Sequence, residues 1–142
     1  MQWSEHPLET EVWFERIEMI RNRELPSTEH ALRHALHLLQ LTPSEFRPAK
    51  YPAIDEATYE AFLDSGDLDQ AARRLVSAPT LSVTASSAGD RVRVGIQCSI
   101  LNRTFFGEGS TVADAILQVW SSYFLMLREE GGEGWLKTSE QT

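Results

Sequence analysis

At Thr80 the hydrophobic period of the chain changes from about 3.6 residues to about 2, and that switch limits the fold more than any other feature. Beyond it "LSVTA" alternates, and "RVRVGIQCSI" alternates further. Val92, Val94, Ile96, Cys98 and Ile100 point one way, while Arg91, Arg93, Gly95, Gln97 and Ser99 point the other. Such alternation predicts half-buried antiparallel strands. "SSAGD" between them reads as a hairpin, and "LNR" turns the chain into a short third strand, Thr104 to Phe106. "GEG" at 107–109 then reads as a turn opening a helix. In that helix Thr111 and Asp114 form a capping-box variant, Val112, Ala115, Ile116, Val119, Trp120 and Tyr123 make the apolar stripe, and Gly131 is the stop.

Ahead of Thr80 the chain reads as helical. Pro7 and the spacing of Val12, Trp13, Ile17 and Ile20 predict a helix over roughly residues 8 to 24, ended by Pro26. Ser27 or Thr28 caps a second, with Leu32, Ala35, Leu36 and Leu39 as its core stripe. "TPSE" at 42–45 predicts one helical turn, and "RPAKYPA" an extended connector. Asp55 caps a helix carrying Tyr59, Phe62 and Leu63 on one side. Gly66 stops it, and Asp67 with Gln70 starts another that runs to about Ser77. The expected fold is α+β: a helical N-terminal half packed on a small three-stranded antiparallel sheet followed by a long C-terminal helix. From residue 67 the order is α-β-β-β-α. One domain is expected over residues 1–130, with 131–142 a flexible tail.

The 13 Lys plus Arg against 21 Asp plus Glu give a formal charge of -8, the wrong sign for a phosphate backbone and the right one for a basic protein surface. Direct nucleic-acid binding is therefore not expected. The single cysteine, Cys98, excludes an internal disulfide and a cysteine-based zinc site, and its parity puts it among aliphatic residues. Residues 1–8 lack an apolar signal region, and no stretch reaches the roughly 18 apolar residues of a membrane span. The expectation is a cytoplasmic protein.

His30, His34 and His37, at i, i+4 and i+7, fall within about 60° of one another on a helical wheel. They make either a solvated helix face or, as an alternative, a metal-binding stripe; the HExxH pattern with its general base is absent. "DSGDLD" at 64–69 places its acids at the wrong offsets for a calcium loop, and a helix stop followed by a helix start accounts for it. No nucleophile, base and orienter constellation emerges, so the expectation is a non-enzyme without cofactors.

Between Tyr51 and Ala72 lie six acids, Asp55, Glu56, Glu60, Asp64, Asp67 and Asp69, and no Lys or Arg. With Tyr59 and Phe62 among them they form a candidate docking patch for a basic protein partner. Arg91, Arg93 and Arg103 are the only basic residues between Arg74 and Arg128, and they supply an alternative anion or nucleotide site together with the 101–109 turn. The last helix is more apolar than a surface helix needs: Leu117, Phe124 and Leu125 extend its stripe. Cover by the N-terminal helices, in a monomer, is expected ahead of cover by a second copy.

Residues 80–127 carry strands leading into Gly109-Ser110-Thr111-Val112-Ala113-Asp114-Ala115, a G-x-T-x-x-[DE]-A helix start. This third of the chain resembles the half-domain of HicB-type antitoxins and similar small phage and prokaryotic proteins, which have a partial double-stranded-RNA-binding-domain topology. Val112 and Ala113 stand where RNA-binding members of that topology carry a lysine pair. The resemblance thus implies the topology without the RNA contact. Small size, the charge of -8, the acidic stretch around Tyr59 and Phe62 and the lack of a catalytic motif lead to the expectation of a non-enzymatic inhibitor of the antitoxin, immunity or phage anti-defence type, acting on a basic protein partner.

Overall fold

The structure, a computed structural model, describes residues 10–42, 55–76, 81–98 and 102–129. The first helix, α1 (Thr10–Arg21), buries Trp13, Phe14, Ile17 and Ile20 along one stripe. It ends where Arg23 takes a left-handed φ of 55° and the Glu24 N–H donates to the Met19 carbonyl at 3.0 Å, a closure usually built on glycine. In α2 (Thr28–Gln40) Ser27 is the N-cap, its Oγ accepting the His30 N–H at 3.2 Å. Two shorter helices follow, α3 (Glu56–Asp64) and α4 (Leu68–Leu75). Between them Gly66 has φ 79°, and the Asp67 N–H donates to the Phe62 carbonyl at 2.8 Å, as the glycine stop predicts.

Asp55 and Asp67 occupy N-cap positions, yet neither carboxylate bonds a helix N–H. Asp55 instead accepts the Thr58 hydroxyl at 2.6 Å. The Asp67–Gln70 capping box is not formed, because the Asp67 backbone is held in the closure of the preceding helix.

Three strands, β1 (Leu81–Ala88), β2 (Arg91–Cys98) and β3 (Arg103–Gly109), make an antiparallel sheet in the order β1-β2-β3. The hairpin between the first two is tighter than "SSAGD" suggests. Ala88 pairs with Arg91, leaving only Gly89 and Asp90 in the turn, with positive φ at Gly89. Asn102, φ 52°, turns the chain into β3.

β3 is also longer than expected. Gly107 and Gly109 are strand residues opposite Val94 and Val92, not the opening of a helix. The reason is close approach. A Cβ on Gly107 would lie 2.6 Å from the Ala115 carbonyl oxygen and 2.6 Å from the Val119 nitrogen of the last helix, α5 (Val112–Glu129).

That helix is the middle layer of three. One side packs on β2 and β3, the other against α1, α2 and α4, so the N-terminal helices rest on α5 rather than on the sheet. Its extended stripe is thereby covered within the chain: Leu117, Phe124 and Leu125 are all buried. Trp13 of α1 meets Phe124 edge to face at 5.4 Å, and its indole N–H donates to the Leu38 carbonyl at 2.9 Å. On the sheet side Phe105 meets Tyr123 edge to face at 5.6 Å. Among the described residues no helix is long and apolar enough to cross a membrane. The expected helical turn at 42–45 beyond Thr42, the connector at 47–53, Trp3, His6, Trp135 and the tail at 131–142 lie outside the described residues.

Candidate functional site

The acidic stretch does not form one solvent-facing patch with an aromatic anchor. Tyr59 is fully buried, and its hydroxyl donates to the Leu32 carbonyl at 2.7 Å, joining α3 to α2. Burial drives its phenol far above the ordinary tyrosine range, so it stays a neutral donor. Phe62 is half-buried under the Arg74 guanidinium, 5.6 Å from the ring centre.

The acids themselves serve several local purposes. Arg33 of α2 reaches across to Glu60, to Asp64 at 3.3 Å and to its own helix neighbour Glu29 at 3.3 Å. These carboxylates raise its pKa, the Glu60 hydrogen bond contributing most. Asp69 accepts the Ala113 N–H at 3.0 Å, capping the first turn of α5 across the molecule. Glu56 meets Gln40 at 3.5 Å. Asp55, Glu56 and Asp67 remain exposed.

The three arginines of the sheet are separated. Arg91 and Arg93 lie on the uncovered face: Arg91 pairs with Glu108 at 3.5 Å, and Arg93 stacks 4.2 Å above the ring of Phe106. Arg103 pairs in register with Cys98 and therefore has the opposite parity. It does not join the other two. Phe106 is the one large hydrophobic side chain exposed among the described residues, at 53 %. It leans over Gly95 of the neighbouring strand, where a Cβ would meet the ring at 3.0 Å. Around it Thr84, Ala85, Ser86, Arg93 and Gly95 outline a shallow hollow of about 240 Å³.

The two edges of the sheet differ in kind. On β3, Arg103 and Glu108 add charge, and the Arg23 guanidinium of the α1 terminus donates to the Glu108 carbonyl at 2.8 Å. β1 reads LSVTASSA, with no charge and no proline. Because α5 lies over β2 and β3, Ala85 and Ser87 are exposed and Val83 is only half-buried despite their core parity. Nothing among the described residues pairs with the outer edge of β1.

Arg16, His30, Arg33, His34 and His37 gather around a cleft of about 500 Å³ whose apolar lining is Leu25, Leu38 and Leu41. No group of three His, Cys, Asp or Glu is placed to hold a metal ion among the described residues, so the histidine spacing is not matched by a ligand geometry. His30 is engaged locally, its Nδ1 2.8 Å from Ser27 Oγ. His34 Nε2 is shielded from solvent and has no hydrogen-bond partner among the described residues.

The sequence singles out neither Arg16 nor Arg33, and it brings in Phe106 only as part of the 101–109 turn. Arg33 was legible only as one more polar residue beside the histidines. The signal for Phe106 is its two-residue offset from Thr104, which places it opposite Gly95 on the arginine face. Comparison of the chain with protein-family models finds no match, and comparison with curated proteins and with solved structures finds no significant one.

Proposed function

We propose that this chain is a small acidic, non-enzymatic binding protein of the antitoxin, immunity or anti-defence type, taking an extended segment of a basic protein partner along the outer edge of β1. One observation carries the reading: the sheet guards one edge with charge and an arginine contact, and leaves the other uncharged, with nothing among the described residues paired to it. An open edge offers a row of backbone donors and acceptors that an extended segment can complete, with side chains at alternate positions setting specificity. The flanking surface suits that role, since Ser82, Thr84 and Ser86 line the edge and the Arg93–Phe106 stack lies beside it. The net charge of -8 steers a basic partner at long range. Exposed Asp55, Glu56 and Asp67 add to that field.

The test is capture from the native host by the wild type and two variants. Ser82→Lys with Ser86→Lys places charges on the edge, and its stability is expected to stay within about 0.5 kcal/mol of the parent. This variant is expected to lose the partner. Asp55→Asn, Glu56→Gln and Asp67→Asn together are expected to slow association and flatten its salt dependence while leaving the complex intact. A partner retained by the lysine variant and lost by the neutralised one would move the interface to the acidic helices.

A further inference from the structure

We propose that the cleft between α1 and α2 is a binding site for a small amphipathic carboxylic acid, its carboxylate held by Arg16 and His34 and its apolar body laid on Leu25, Leu38 and Leu41. The cleft, at about 500 Å³, has the size of a small-molecule site. It also gathers basic side chains in a protein that is acidic overall: Arg16 from α1, with His30, Arg33, His34 and His37 from α2, line it together.

Among the described residues, Arg16 and the His34 ring nitrogen Nε2 have no partner. Arg33 is already surrounded by Glu29, Glu60 and Asp64, and His30 is tied to Ser27. Arg16 is exposed and forms no ion pair among the described residues. A buried imidazole nitrogen without a partner, as at His34 Nε2, carries the cost of desolvation with no hydrogen bond to offset it. An anion in the cleft answers the charge of Arg16, and a small turn of the His34 ring toward it gives the shielded Nε2 the acceptor it lacks. The walls point to a carboxylate with an apolar body rather than to a bare ion, because Leu38 and Leu41 are buried residues forming much of the lining.

The site has a pH signature. Burial, then the charges of Arg16 and His37, hold the His34 pKa below the ordinary histidine value, so the unliganded ring is neutral at pH 7. A bound carboxylate favours the imidazolium and raises that pKa, so binding takes up a proton and affinity rises as pH falls from 7 toward 5. Arg16 from α1 and His30, Arg33 and His37 from α2 face the cleft with it. Glu29, Glu60 and Asp64 pair with Arg33 at the cleft.

The experiment titrates the full chain with hexanoate and with benzoate, using hexylamine, inorganic phosphate and zinc for comparison. Melting temperature and the ring resonances of His34 are the readouts. Either carboxylate is expected to raise the melting temperature in a saturable way and to move the His34 ring signals. Hexylamine is expected to do neither, and phosphate to act more weakly. Arg16→Gln, a substitution on the surface, is expected to weaken carboxylate binding at least about tenfold, a loss of roughly 1.4 kcal/mol. His34→Gln is expected to remove the pH dependence. Carboxylates that leave the His34 resonances unmoved, or that bind equally well to Arg16→Gln, would overturn the proposal. So would zinc raising the melting temperature where carboxylates do not, which would return the histidines to a metal site.

Discussion

Arg23 holds a backbone conformation that L residues avoid at a cost of roughly 1–2 kcal/mol, and its side chain gives the reason. The guanidinium reaches Asp114 at 3.1 Å and the Glu108 carbonyl at 2.8 Å, tying the end of α1 to the start of α5 and to the guarded edge of β3. Alanine keeps the strain and loses both contacts. Arg23→Ala is therefore expected to lower stability by about 1 kcal/mol in urea unfolding followed by tryptophan fluorescence. Glycine relieves the strain as it loses them, so Arg23→Gly is expected to stay within about 0.5 kcal/mol of the parent. An alanine variant as stable as the parent would show that the ion pair contributes nothing. At this scale the sequence is legible where spacing decides and silent where distance does. Tyr59, Phe62 and Leu63 share a side of their helix, as their spacing predicts, and Tyr59 and Leu63 are core. That Arg33 would meet Glu60 and Asp64 is beyond local pattern, because 27 and 31 residues separate the pairs. The same acids that read as a docking patch are thus partly neutralised.

At the level of elements, period and parity carried most of the information. Val94, Ile96 and Cys98 are buried together and Arg93 and Gln97 exposed, as alternation requires. Glycine was ambiguous. "GEG" reads as a turn opening a helix, and only the approach of α5 makes it strand, where another backbone comes close. This fixes a testable contrast between two glycines. Gly107→Ala puts a methyl group 2.6 Å from two backbone atoms of α5, which have no room to retreat, and is expected to cost at least about 2 kcal/mol. Gly89→Ala meets nothing within 4 Å, so its expected cost is the positive φ alone, about 1 kcal/mol. Denaturant unfolding of both variants checks the order. A reversal would mean that β3 and α5 can separate freely. The parity of Arg103 was the other ambiguity, since the turn at Asn102 resets which face the next residue takes.

For the molecule as a whole, the governing feature is that α5 has two covered sides. The excess of apolar residues on that helix was readable, and so was the need of α1 and α2 for a surface of their own; the stacking order was not, because amphipathic stripes specify a buried face without naming its partner. Deleting residues 1–26 removes α1 with Trp13, Phe14, Ile17 and Ile20, and uncovers Phe124. The shortened chain is expected to aggregate in light scattering. A soluble, monodisperse fragment would contradict the cover that α1 provides. The same layering sets a schedule during synthesis. The helices α1 to α4 leave the ribosome before α5, the surface they rest on, has been made. At about 5–20 residues per second, the roughly 50 residues from the end of α4 to the end of α5 take about 3 to 10 s. For that interval the nascent helical half has its apolar faces turned outward, within reach of chaperones and proteases, and a pause in translation before α5 lengthens the exposure.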